Sequence, residues 1–204
     1  MSALQLFSTT GTAGYIEGVV HVPKLAPKCI AIVCHPLPTM GGTMDNKVAV
    51  TLAKTFAELG CVALRFNFRG VGASEGEFTG GDGELEDALT VTEFAREQFG
   101  ELPLILSGFS FGGYVAARAA QKLKPRHLIL AAPAVGRFAM PPVPSNALVI
   151  HGEQDDIVPL ADAFDWARPQ HLPITVLPGV EHFFHGRLTQ LRDIIKMHFT
   201  GVAL

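Results

Sequence analysis

The stretch Leu104-Ile105-Leu106-Ser107-Gly108-Phe109-Ser110-Phe111-Gly112-Gly113-Tyr114-Val115-Ala116-Ala117 decides how this chain folds. Its first apolar run reads as a buried strand, and the Ala-rich run after Gly113 reads as a helix. Between them stands Gly108-Phe109-Ser110-Phe111-Gly112. A serine at the top of a strand-to-helix turn sits in strained backbone geometry. Glycines two residues to either side remove side chains that would collide there. Such a turn presents the hydroxyl at the C-terminal edge of the sheet, where open α/β sheets bind ligands. The following helix aims its positive N-terminal end at the same spot. Gly-x-Ser-x-Gly alone is a weak pattern, and the strand–turn–helix setting is what makes it informative. Ser107 lies within the strand and lacks flanking glycines, so Ser110 is the candidate nucleophile.

Working outward, the same alternation repeats. Short runs rich in Val, Ile and Leu at Cys29–Cys34, Cys61–Phe66, Leu104–Phe109, His127–Ala131, Ala147–His151 and Ile174–Leu177 predict strands. Continuous apolar runs, without period-two alternation, suit a parallel sheet covered on both faces. Helices are predicted over 46–59, 83–99, 112–123, 160–168 and 187–199 from apolar stripes at helical spacing. Leu4–Ser8 and Tyr15–Val22 flank the turn-rich Gly11-Thr12-Ala13-Gly14 and read as an antiparallel pair on one edge. The expected fold class is α/β: a doubly wound, mostly parallel sheet of about seven or eight strands with helices on both faces. No linker or repeat divides residues 1–204, so one domain is expected. Between the strands at His127–Ala131 and Ala147–His151 lies only a short connection. Pro133, Pro141, Pro142 and Pro144 argue against helices within it.

Composition sets limits on partners. The chain has 204 residues, 48% of them hydrophobic and 17% charged, with a net charge of −3. A large core is expected, and neither nucleic acid nor an anionic membrane surface is indicated as a partner. Met1–Phe7 has neither a basic nor an apolar leader region, and no apolar run approaches the roughly 20 residues needed to span a bilayer. Cys29, Cys34 and Cys61 are odd in number and lie in apolar runs. The expectation is three buried free thiols in a reducing cytoplasm. No Cys-x-x-Cys pair is present, so no structural zinc, and no other metal or cofactor, is expected.

A serine needs a base, and the base needs an orienter. Ala147-Leu148-Val149-Ile150-His151-Gly152 is a strand entering a loop, and Asp155 and Asp156 follow. Beyond the next strand, Gly179-Val180-Glu181-His182-Phe183-Phe184-His185 offers two histidines. Asp156 could instead cap the helix near Leu160, and His185 could cap the last helix or sit beside the site. A metal held by His182, His185 and an aspartate lacks any zinc-protease spacing. Gly70-Val71-Gly72-Ala73-Ser74-Glu75-Gly76 departs from a dinucleotide fingerprint, because its third glycine falls one position late.

Four stretches together resemble the α/β-hydrolase superfamily, in its small lid-less bacterial branch akin to dienelactone hydrolases and short-chain carboxylesterases. They are His35-Pro36-Leu37-Pro38 with Gly41-Gly42, Arg69–Ser74, Gly108–Gly112, and Gly152-x-x-Asp155-x-x-Val158-Pro159 with His182-Phe183-Phe184. The resemblance covers nearly the whole chain and selects Asp155 over Asp156 and His182 over His185. It implies a Ser110–His182–Asp155 triad with the Phe111 amide as one oxyanion donor. Where the family carries His-Gly, this chain has His35-Pro36. Proline has no N–H, so the second donor is expected at Leu37. His35 is expected to brace its loop, Arg69 to pair with a carboxylate, and Thr43, Asp45 or Asn46 to cap the next helix. Asn46 or Met44 could also line the pocket. The implied function is hydrolysis of a small-molecule acyl substrate, an ester, in the cytoplasm. Thioesterase, lactonase, peptidase and a catalytically silent binding protein are the alternatives, and a homo-oligomer is left open.

Overall fold

The structure, a computed structural model, describes residues 3–202. Met1 and Ser2, which begin the stretch considered for a leader, lie outside the described residues. Eight strands alternate with five α-helices. The strands are β1 (Ala3–Gly11), β2 (Gly14–Val22), β3 (Cys29–Cys34), β4 (Cys61–Phe66), β5 (Leu104–Phe109), β6 (His127–Ala131), β7 (Leu148–Gly152) and β8 (Ile174–Leu177). The helices are α1 (Lys47–Glu58), α2 (Asp82–Phe99), α3 (Phe111–Leu123), α4 (Leu160–Ala167) and α5 (Leu188–His198). All five predicted helices and six core strands fall within one or two residues of their expected bounds. The edge pair is longer than expected, since only Thr12 and Ala13 separate β1 from β2.

The sheet runs β1-β2-β4-β3-β5-β6-β7-β8. β1 and β2 pair antiparallel, as do β2 and β4, and every other neighbour is parallel. This is the α/β class expected. Every residue of β3, β4, β5 and β6 is buried, which is why these strands read as unbroken apolar runs. Alternate residues serve two cores. Ile30 and Ile32 face Leu85, Val91 and Val115 of α2 and α3, while Ala31 and Val33 face Leu52 and Phe56 of α1 and Ile195 of α5.

Residues 132–146, between β6 and β7, contain no helix or strand, so no cap covers the sheet edge. The segment is tied to the body instead. Trp166 Nε1 donates to Pro141 O at 3.2 Å, Gln170 Oε1 accepts from Val143 N at 2.8 Å, and Gln121 Nε2 donates to Pro142 O at 2.6 Å. The turn after β4 is held by Arg69, whose guanidinium meets the buried Asp87 at 2.8 Å and Glu86 at 3.3 Å. This is the carboxylate pairing expected of Arg69. No helix among the described residues is long and apolar enough to cross a membrane.

The cysteine expectation needs correction. Cys29 and Cys61 form a disulfide, and only Cys34 is a free, buried thiol. The two residues are register partners at the starts of adjacent parallel strands, with Cα atoms 4.6 Å apart. Odd number and apolar context say nothing of strand register, and register is what brings the two sulfurs together.

Candidate active site

Ser110 closes β5 and opens α3. Its φ of 54° and ψ of −120° are unusual for a residue with a side chain, a conformation that costs on the order of 1–3 kcal/mol and persists only where the surroundings impose it. Here they do. Ser110 N–H donates to Ala131 O at 3.0 Å, and Ser110 O accepts from Gly113 N at 2.9 Å and Ala134 N at 3.1 Å. A Cβ at Gly108 would run into the backbone of Gly112, and one at Gly112 would run into the carbonyl of Cys34. Both glycines are therefore fixed by backbone contact, as the turn pattern predicts.

The structure brings the three residues selected by resemblance into one hydrogen-bonded chain. His182 Nε2 lies 3.0 Å from Ser110 Oγ, and His182 Nδ1 lies 2.7 Å from Asp155 Oδ2. An ionised carboxylate only accepts, so Nδ1 carries the proton and Nε2 presents its lone pair to the serine hydroxyl. All three are nearly inaccessible: Ser110 is 8% exposed, Asp155 5% and His182 2%. The other oxygen of Asp155 accepts from Ile157 N at 3.0 Å and Val158 N at 2.7 Å. The ring of Phe109 backs the imidazole of His182 at 4.9 Å between centroids.

The rejected alternatives lie elsewhere. Asp156 is exposed and caps nothing, since α4 begins at Pro159 without a side-chain cap. His185 pairs with Glu181 at 3.1 Å on the surface and lines a neighbouring depression with Lys47 and Asp45. Asn46 is the cap of α1, its Oδ1 accepting from Val48 N at 2.9 Å and Ala49 N at 3.4 Å, and it also lines the site cavity. Met44 does not line the cavity, and its backbone N–H donates to Asn67 Oδ1 at 2.8 Å.

His35 braces its loop. Its Nδ1–H donates to Pro36 O at 2.7 Å and its Nε2 accepts from Phe68 N at 3.1 Å. Burial pushes its pKa down to about 4 against the opposing pull of the Pro36 carbonyl, so it stays neutral. His151 carried no role in the sequence. It lies fully buried beside Asp155, its Nε2–H donating to Val158 O at 2.8 Å and standing 3.3 Å from Asp155 Oδ2. Burial holds its pKa below the ordinary histidine value. A lone polar residue ending a strand was the only signal for it.

A cavity of about 220 Å³ opens over Ser110. Leu37 and Phe111 both line it, and neither backbone N–H is taken by a backbone acceptor among the described residues. Both residues of the donor pair expected from the sequence thus line the cavity that holds Ser110. Met40, Phe138, Ile157 and Phe183 supply apolar wall, and Arg137 supplies a cation. Of these, Met40, Phe138, Ile157 and Arg137 were not singled out in the sequence, because they reach the cavity from three separate loops.

Comparison with known proteins agrees with this geometry. A family model described as serine aminopeptidase, S33, matches residues 31–147. An uncharacterised protein of Rickettsia prowazekii is 32% identical over 91% of this chain and 84% of its own. An α/β serine hydrolase without a lid from Xanthomonas campestris is 39% identical, with a TM-score of 0.91 over 98% of this chain and 95% of its own. An α/β serine hydrolase homologue from Coxiella burnetii is 38% identical, with a TM-score of 0.88 over 96% of each chain. With more than half of its length matched, this chain belongs to the serine aminopeptidase S33 family of α/β hydrolases, in the small branch of serine hydrolases without a lid.

Proposed function

We propose that this serine hydrolase cleaves carboxylic esters through Ser110, His182 and Asp155 by way of an acyl-enzyme. The observation that carries the reading is the unbroken chain Ser110 Oγ, His182 Nε2, His182 Nδ1, Asp155 Oδ2, with links of 3.0 and 2.7 Å. Ser110 Oγ attacks the ester carbonyl while its proton passes to His182 Nε2. The carbonyl electrons move to oxygen, facing the amides of Leu37 and Phe111. Losing one such donor costs about 3–4 kcal/mol of barrier. Collapse expels the alcohol, which takes the proton from His182. Water then gives a proton to the same nitrogen, its oxygen attacks the acyl carbon, and the acid leaves as Ser110 recovers its hydrogen. Asp155 holds the imidazole in the tautomer required and stabilises the imidazolium.

The family description names an aminopeptidase, which must hold a substrate's α-ammonium group. Among the described residues the cavity wall contains no carboxylate to meet one, and its permanent charge is the cation Arg137. That favours an ester over a peptide N-terminus. The test is a fluorophosphonate probe. We expect a covalent adduct on Ser110 in the wild-type protein, and none in His182→Ala. A folded wild-type protein that never labels overturns the reading.

A further inference from the structure

The cavity over Ser110 is apolar along Leu37, Met40, Phe138 and Phe183, and among the described residues Arg137 is the only arginine, lysine or carboxylate-bearing residue in its wall. Arg137 stands on the 132–146 connection, exposed at the cavity's edge. It is anchored nonetheless: its Nε–H donates to Ile157 O at 3.0 Å. Ile157 in turn gives its own N–H to Asp155 Oδ1, so the arginine is tied to the loop that carries the orienter. That bond uses one of five N–H groups. The four on Nη1 and Nη2 meet no acceptor among the described residues.

The contrast with six other arginines is chemical, although Arg187, which does not line the cavity, also makes no ion pair among the described residues. Arg65, Arg69, Arg96, Arg118, Arg168 and Arg192 each face a carboxylate. Arg137 does not, although an acid is near. Asp162 stands against Gly136, where a Cβ would lie 2.6 Å from its Oδ2, yet it forms no ion pair with the neighbouring guanidinium. An anchored planar fork with its terminal N–H groups uncommitted matches the two oxygens of a carboxylate. The apolar wall between it and Ser110 suits a short methylene chain.

Resting on the serine-hydrolase reading, we propose that Arg137 is a specificity-determining residue that selects esters bearing a free carboxylate, the monoesters of dicarboxylic acids. The acyl chain lies along Leu37, Met40 and Phe138, with its ester carbonyl at Ser110 and its far carboxylate on Arg137. Water cleaves the ester to the alcohol and the dicarboxylate, and the carboxylate at Arg137 takes no part in bond making.

The experiment compares two chromogenic substrates of matched chain length, mono(para-nitrophenyl) adipate and para-nitrophenyl hexanoate. Its readout is the ratio of kcat/KM for the anionic over the neutral ester. We expect a ratio of about ten in the wild type, which is what one charge-assisted pair at an exposed rim supports. The ratio should fall to about one in Arg137→Gln and stay intermediate in Arg137→Lys, which keeps the charge and loses the fork. In the wild type it should also shrink as salt is raised, because the pair is open to solvent. A wild-type ratio at or below one overturns the proposal. So does a ratio unmoved in Arg137→Gln or, should that variant not fold, a wild-type ratio insensitive to salt. Wild-type protein that turns over neither ester overturns the hydrolase reading instead, so the two failures are distinct.

Discussion

Asp155 is a buried carboxylate with no arginine or lysine beside it. It accepts N–H groups: two backbone amides on Oδ1, one of them from Val158, and His182 on Oδ2, while His151 gives its own N–H to the Val158 carbonyl and so pins the residue whose amide serves Asp155. His151 therefore bears on catalysis through Asp155. Replacing it with leucine frees the Val158 carbonyl and loosens the loop that holds Asp155. We expect His151→Leu to lose about tenfold in kcat, comparable to one buried hydrogen bond, with KM little changed. His151→Gln, which keeps a donor for the Val158 carbonyl, should recover most of the loss. Turnover in His151→Leu equal to wild type would show His151 to be filler. Ser110 was legible in the sequence through its turn chemistry, whereas Asp155 and His182 were chosen over Asp156 and His185 only through the family resemblance. His151 was not, since a buried histidine in a strand looks the same whether it packs or donates.

At the level of elements, the parallel core strands were readable because each is buried on both faces, so periodicity and burial give the same answer. Pairing was another matter. Whether Cys29 meets Cys61 depends on β3 and β4 lying side by side without offset, which no property of either strand alone reveals. The bond has a countable consequence. In denaturant without reductant, an aromatic disulfide reagent should titrate one thiol per chain, that of Cys34, and three after reduction. Three thiols before reduction, in protein purified without reductant and under air, would contradict the bond. The closed loop spans 32 residues of sequence, and cross-linking one of that length stabilises by about 3–4 kcal/mol on the chain-entropy account. The oxidised form should accordingly unfold at higher urea than the reduced form.

Across the whole molecule, buried neutral histidines set the response to acid. Burial holds His35 near 4, against an ordinary value of 6.5, and burial together with Arg65 and Lys54 holds His21 near 4 as well. Above pH 6.5 neither state binds a proton at these sites. Between 6.5 and about 4 the unfolded chain binds protons that the folded protein refuses. Stability therefore falls as the pH is lowered through that window, by about 1.4 kcal/mol per pH unit for each such histidine. Urea midpoints should drop clearly from about pH 7.5 to about pH 5, with the slope reduced in His35→Gln. Equal midpoints at the two pH values would contradict the burial argument.

Ile157 faces two ways, its amide serving Asp155 and its carbonyl serving Arg137. The consequence is evolutionary. A lineage that exchanges Arg137 to change diet frees a carbonyl on the very loop that aims the orienter. The first such substitution carries a penalty in turnover as well as a change of taste. Positions 137 and 157 are then epistatic, and shifts in preference should arrive in pairs, a new residue at 137 with a compensating change near 157. An engineer who randomises 137 alone would sample mostly poor catalysts, whereas a library built on both positions would separate what the enzyme likes from how fast it works.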